Sequence, residues 1–123
     1  TAGLAISNDV ALDVGVTGAA GVLFKEGVGV VALAHVHLNP TAAGVSQRYG
    51  LGAGVRVGTR SHLTLGLTPT LFVTPDAVLF GGTVLAHIYA QLTPHVGLLV
   101  QPSLGFNGQS FVFAISGGAG FEF

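Results

Sequence analysis

Apolar residues alternate with small or polar ones along most of this chain. At its end, Phe111, Phe113, Ile115, Ala119, Phe121 and Phe123 take every second position, with Val112, Ala114, Ser116, Gly118, Gly120 and Glu122 between them. A period of two puts successive side chains on opposite faces of a β-strand. The pattern recurs upstream. Val10, Leu12, Val14, Val16, Val22 and Phe24 stand against Ala11, Asp13, Gly15, Thr17, Ala19 and Gly21. Tyr49, Leu51, Ala53, Val55 and Val57 stand against Arg48, Gly50, Gly52, Gly54 and Arg56. Leu63, Leu65, Leu67 and Leu71 oppose His62, Thr64, Gly66, Thr68 and Thr70, and Val96, Leu98, Val100, Leu104 and Phe106 oppose Gly97, Gln101, Ser103 and Gly105. Turn-forming clusters separate the runs, at Ser7-Asn8-Asp9, Lys25-Glu26-Gly27, Asn39-Pro40-Thr41, Thr59-Arg60-Ser61, Thr74-Pro75-Asp76, Thr93-Pro94 and Asn107-Gly108-Gln109. The spacing predicts eight antiparallel strands, joined up and down by short turns, in a single domain over residues 1–123.

Composition changes what the apolar faces are expected to meet. Half of the 123 residues are apolar, 7% are charged, and the mean hydropathy is +0.73; ordinary soluble domains carry about 25% charged residues. A transmembrane helix needs roughly 20 consecutive apolar residues, and no such run exists. Twenty glycines also oppose helix. Helices and closed barrels are the two structures that can span a bilayer. The expected fold class is therefore all-β, an eight-stranded antiparallel up-and-down transmembrane β-barrel with short turns on both rims. A soluble ligand-binding barrel of lipocalin type needs apolar residues inside and polar ones outside, the inverse of where the charges fall here.

Of the nine formal charges, Asp9, Lys25, Glu26, Arg60 and Asp76 fall in turns. The other four, Asp13, Arg48, Arg56 and Glu122, all fall on the small, polar face. A lipid-facing Arg or Lys at the midplane costs about 2–4 kcal/mol, and the pattern avoids it in every strand. Phe24, Phe80, Phe106, Phe111, Phe121 and Phe123 lie near strand ends, where interfacial aromatics are expected. Pro69 and Pro102 fall inside strands on the outward face, where a bulge or frayed rim is expected because proline lacks a ladder donor. With no cysteine there is no disulfide or thiol chemistry, and a net charge of −1 without a basic run excludes a nucleic-acid footprint. The start at Thr1 reads as a mature chain after loss of an export signal, or as a trimmed one.

Alternating strands on two- to five-residue turns, closing with Gly120-Phe121-Glu122-Phe123, resemble the small outer-membrane β-barrels of Gram-negative bacteria, the OmpA- and OmpX-like class. The terminal Phe with an aromatic two residues before it is similar to that family's assembly signal. The resemblance implies a location in the bacterial outer membrane, both termini in the periplasm, and phospholipid and lipopolysaccharide as surroundings. It also implies possible envelope protein partners. The turns near residues 26, 60 and 94 are then periplasmic. Family members carry long outer loops, whereas the longest candidate here is 39–46, which weakens any inference of adhesion or receptor recognition.

The chemistry is expected inside. Arg48 and Arg56 pointing into a narrow barrel need partners, and Asp13 and Glu122 are the inward carboxylates. Together with His35 and His87 they form the candidate polar network of the lumen, with Tyr89 and Phe72 as large fillers. One reading is an Arg–carboxylate network that fills the interior and fixes register; the other is an ion path. His35, His37 and His87 could supply imidazoles to zinc, but two positions apart on a strand fixes no tetrahedron, so neither a metal nor a cofactor is expected. His62 and His95 read as interfacial polar residues beside periplasmic turns. The outer-membrane acyl hydrolases pair His and Ser two apart on one strand. Here the pair is His35 and His37, so a catalytic role is not expected.

Overall fold

The computed structural model describes residues 1–6, 10–24, 26–41 and 44–123. No helix occurs among them. Eight strands follow in chain order: β1 (Ala2–Ile6), β2 (Val10–Leu23), β3 (Val28–Thr41), β4 (Gly44–Val57), β5 (His62–Val73), β6 (Val78–Gln91), β7 (Val96–Phe106) and β8 (Phe111–Phe121). Each pairs antiparallel with the next, and β8 pairs back onto β1, so the sheet closes in a ring. Connections of two to four residues suffice because consecutive antiparallel strands are neighbours.

The side chains sort as the alternation predicts. Along β5, Thr64, Gly66, Thr68, Thr70 and Phe72 are buried while Leu63, Leu65, Leu67 and Leu71 are exposed. On β7 it is Gly97, Leu99, Gln101, Ser103 and Gly105 that are buried, and Leu98, Val100, Leu104 and Phe106 that are exposed. Most large apolar residues therefore cover the outside of the ring, and the hydroxyl, amide, imidazole and guanidinium groups share its inside with Val31, Leu33, Phe72, Leu85 and Leu99. Glycines let the inside fill. A Cβ on Gly50 would lie 2.1 Å from His35 Nε2, and one on Gly66 would lie 2.2 Å from Leu33 Cδ1.

Two expectations about local structure are corrected. Asn39-Pro40-Thr41 is not a turn: β3 runs through it to Thr41, pairing with β4 down to Thr41 opposite Gly44. Asn39 is held in the strand by its side chain, whose Nδ2 donates to the Leu12 carbonyl at 3.1 Å. This outweighs the local turn preference. The longer loop expected over 39–46 shrinks to the connection between Thr41 and Gly44. Nor do the prolines create bulges. The β4–β5 register is the same on both sides of Pro69, from Gly50 opposite Thr70 to Ala53 opposite Leu67, and the β6–β7 register is the same on both sides of Pro102. Each proline silences the ladder on one side and keeps it on the other, where Pro69 faces Gly82 and Pro102 faces Ile115. The expected turn at Ser7-Asn8-Asp9, and Lys25, lie outside the described residues.

β1 is much shorter than its neighbours. It pairs with β2 as far as Val14 and with β8 as far as Gly117. Beyond those points, Val16–Leu23 and Gly118–Phe121 have a strand partner on one side alone among the described residues.

Candidate functional site

Because the inside of the ring collects nearly all the chemistry, it is the candidate site, and it is organised in three layers. Toward the end where β3 meets β4 and β7 meets β8, the layer centres on Asp13, whose accessible surface is 0%. Its Oδ1 accepts from Arg48 Nη2 at 2.6 Å and from Asn39 Nδ2 at 2.7 Å, while Oδ2 accepts from His37 Nδ1 at 2.8 Å. Four strand positions build this: Asp13 on β2, His37 and Asn39 on β3, and Arg48 opposite His37 on β4. On its other side His37 Nε2 meets Gln101 Nε2 at 3.3 Å, an amide donor facing an imidazole lone pair. Beside it, a buried relay of hydroxyls runs from His35 Nε2 to Thr68 Oγ1 at 2.8 Å, then to Thr70 and on to Thr83. Phe72, also buried, caps the relay against Gly105.

The middle layer is apolar. Val31, Leu33 and Leu85 form one buried cluster, with Leu33 pressed toward Gly54 and Gly66. Below it, toward the carboxyl terminus, the third layer is built on Glu122. Arg56 Nη1 donates to Glu122 Oε1 at 3.2 Å, and Arg56 Nη2 to the Thr59 carbonyl at 2.8 Å. His62 Nε2 also bonds the Glu122 carboxylate. The His62 ring stacks on Tyr89, with centroids 4.8 Å apart, and on His87 at 6.1 Å. His95, exposed, donates from Nδ1 to the Glu122 carbonyl at 3.0 Å.

The six expected network residues therefore do turn inward, but they form two groups rather than one. Asp13, Arg48 and His35 sit in one end layer, Arg56, Glu122 and His87 in the other, with the leucines between. The separation follows from strand rise: Arg48 and Arg56 are eight residues apart on β4, roughly 26 Å at about 3.3 Å per residue. His62 is not interfacial as expected; it points inside and is nearly enclosed. The sequence reading missed Asn39, Gln101 and His37 as partners in the Asp13 cluster. Their parity was the available signal, since 37 and 39 continue the inward row of Val31, Leu33 and His35. Phe24, Phe80, Phe106, Phe111, Phe121 and Phe123 are all exposed. Phe80, Phe106 and Phe111 gather at one end of the ring, where Phe106 pairs with Phe111, and the other three lie at the opposite end.

Chemically this interior is balanced and occupied. Each carboxylate has one guanidinium, so neither end layer stores an uncompensated charge. The Asp13–His37 pair has the form of an acid–base dyad, but the far imidazole nitrogen faces an amide rather than a hydroxyl, and the pair is enclosed. Among the described residues no three histidine or carboxylate side chains are placed to hold a metal ion. No protein-family model matches the chain, and no curated protein matches it in sequence.

Proposed function

We propose that this chain is an eight-stranded transmembrane β-barrel of a bacterial outer membrane. Its role is structural, as an anchor or scaffold among envelope proteins, with its lumen closed to ions. One observation carries the reading: the sorting of side chains about the wall. Asp13 and Arg48 are 0% and 3% exposed, whereas Leu67, midway along β5, is 56% exposed and is flanked by Ala53 and Val84 on the same outer face. A protein surrounded by water gains nothing from that arrangement; a protein surrounded by hydrocarbon requires it. The two end groups of exposed phenylalanines fit a pair of interfacial girdles. In this reading both termini face the periplasm and the outer wall meets phospholipid and lipopolysaccharide.

The closed lumen is favoured over a narrow channel by the Val31, Leu33 and Leu85 layer, which separates the two polar ends. Substituting Leu67→Arg tests the surroundings. In a bilayer the change costs about 2–4 kcal/mol, but on a water-facing surface it stays within about 0.5 kcal/mol. An unchanged stability in lipid vesicles would reject the transmembrane reading. Stable, discrete current steps from the wild-type protein in planar bilayers would reject the closed scaffold.

A further inference from the structure

One group of hydrogen-bond donors gathers on a rim rather than inside the ring. The β4–β5 and β6–β7 turns stand side by side at the end that carries Glu122, because β5 and β6 pair up to it: His62 is opposite Tyr89, which brings Arg60 level with Gln91. A pocket of about 500 Å³ opens between the two turns, lined by Arg60, Ser61, Gln91, Leu92, Thr93 and Pro94. Small-molecule sites run from about 300 to 1,000 Å³. The backbone fixes what its hydroxyls can do. Ser61 Oγ accepts from Gln91 N at 3.1 Å, and Thr93 Oγ1 accepts from Val96 N at 3.1 Å. Each oxygen already has its donor, and each keeps its own proton to give. Arg60 is exposed and has no ion pair or hydrogen bond among the described residues. Arg56, the other guanidinium of this rim, is committed to Glu122 and the Thr59 carbonyl. Among the described residues no carboxylate lines the pocket. The exposed Glu26 belongs to the β2–β3 turn, which the hydrogen bond from Gly58 N to Gly27 O sets on the other flank of the β4–β5 turn.

An uncommitted guanidinium beside two hydroxyl protons and a side-chain amide suits an anion whose oxygens only accept, and a phosphate takes a guanidinium in two parallel bonds. The other border of the pocket is apolar. Leu92 is 64% exposed, and next along the outer wall Ala90 pairs with Leu98, itself 55% exposed. A ligand that satisfies both borders is an amphiphile. Resting on the transmembrane reading above, we infer that this pocket binds the phosphate of an anionic phospholipid. Arg60 pairs with the phosphate oxygens, Ser61 and Thr93 donate to them, and an acyl chain lies along Leu92, Ala90 and Leu98. Under that reading this rim stands at the periplasmic surface of the membrane, at the depth of the lipid headgroups. A choline headgroup fits less well, because it brings its own cation to a pocket with no carboxylate to receive it. Free inorganic phosphate satisfies the donors but leaves Leu92 uncovered.

The test titrates the isotopically labelled protein, folded in dodecylmaltoside micelles, with dihexanoylphosphatidylglycerol and follows the backbone amide resonances. Saturable shifts are expected at Arg60, Ser61, Gln91 and Thr93, and none at the opposite rim around Asp76 and Gln109. Arg60→Gln weakens the affinity by roughly tenfold or more, the worth of a charge-assisted hydrogen bond. Its circular dichroism matches the wild type, because the Arg60 side chain holds nothing else in place. Gln109→Glu makes the same change in net charge at the far rim and leaves the affinity unchanged. Gln91→Glu gives Arg60 a partner within the pocket and weakens binding as Arg60→Gln does. The proposal is overturned if Arg60→Gln binds as the wild type does, or if Gln109→Glu weakens binding equally, which marks attraction to overall charge. It is also overturned if dihexanoylphosphatidylcholine or inorganic phosphate binds as tightly as dihexanoylphosphatidylglycerol. A chain that stays folded and monomeric in buffer without detergent refutes the transmembrane reading instead, and the same titration in that buffer then decides the pocket by the Arg60→Gln comparison.

Discussion

Asp13→Asn is the most informative single change. The carboxylate is fully enclosed and accepts three hydrogen bonds, from Arg48 at 2.6 Å, Asn39 at 2.7 Å and His37 at 2.8 Å. The asparagine keeps the volume but has one acceptor oxygen, and its NH2 must face one of those donors. More costly, the Arg48 guanidinium, 3% exposed, loses its counter-charge. Removing one partner of a buried pair costs about 3–5 kcal/mol, equivalent to between two and nearly four decades in the folding equilibrium. With a urea dependence of about 2 kcal/mol/M, the midpoint falls by roughly 2 M. The chain has no tryptophan, so the readout is urea unfolding in detergent micelles followed by circular dichroism and by gel mobility of unheated samples. Asp13→Asn combined with Arg48→Met removes both charges and recovers more than half of the loss. A single-mutant cost under about 1 kcal/mol, or a double mutant no better than the single, would show that the pair is not a desolvated ion pair.

Other expected outcomes follow from the same layers. Glu122→Gln costs about 1 kcal/mol or less, because that carboxylate and Arg56 remain 26% and 17% exposed and solvent screens them; urea midpoints measured beside Asp13→Asn give the comparison. Gly52→Ala destabilises by about 1–3 kcal/mol, since its Cβ would lie 2.2 Å from the Leu67 carbonyl oxygen and the β5 backbone would have to move, whereas Gly18→Ala, with nothing within 4 Å, leaves the midpoint unchanged or raises it. Leu33→Ala, at the centre of the apolar layer, lowers stability by about 2–5 kcal/mol, and Leu33→Val by less, in the same unfolding assay.

The inside and outside of each strand were legible in the sequence, because a period of two needs no tertiary information. Parity alone sent Asp13, Arg48, Arg56 and Glu122 inward. What parity could not supply was height. Arg48 and Arg56 share a face, and only strand rise and register show that they serve opposite ends. Asn39-Pro40-Thr41 misled for a related reason. Its residue types favour a turn, but the Asn39 amide bonds Asp13 and the Leu12 carbonyl across the ring, and a local preference yields to tertiary contacts of that kind. The prolines were misleading in the opposite direction, since a closed wall absorbs each by dropping two pairs while keeping its register. Which residues of β2 and β8 the short β1 leaves without a second strand partner emerges only from the register.

The brevity of the connections, two to four residues each, has a consequence for how such a molecule is noticed. An antibody, a phage tail fibre or a soluble protease grips protruding chain, and these rims offer almost none. Under the transmembrane reading proposed above, anything that finds this protein from the aqueous side has to read the few polar groups around its two mouths, or else approach sideways through the lipid.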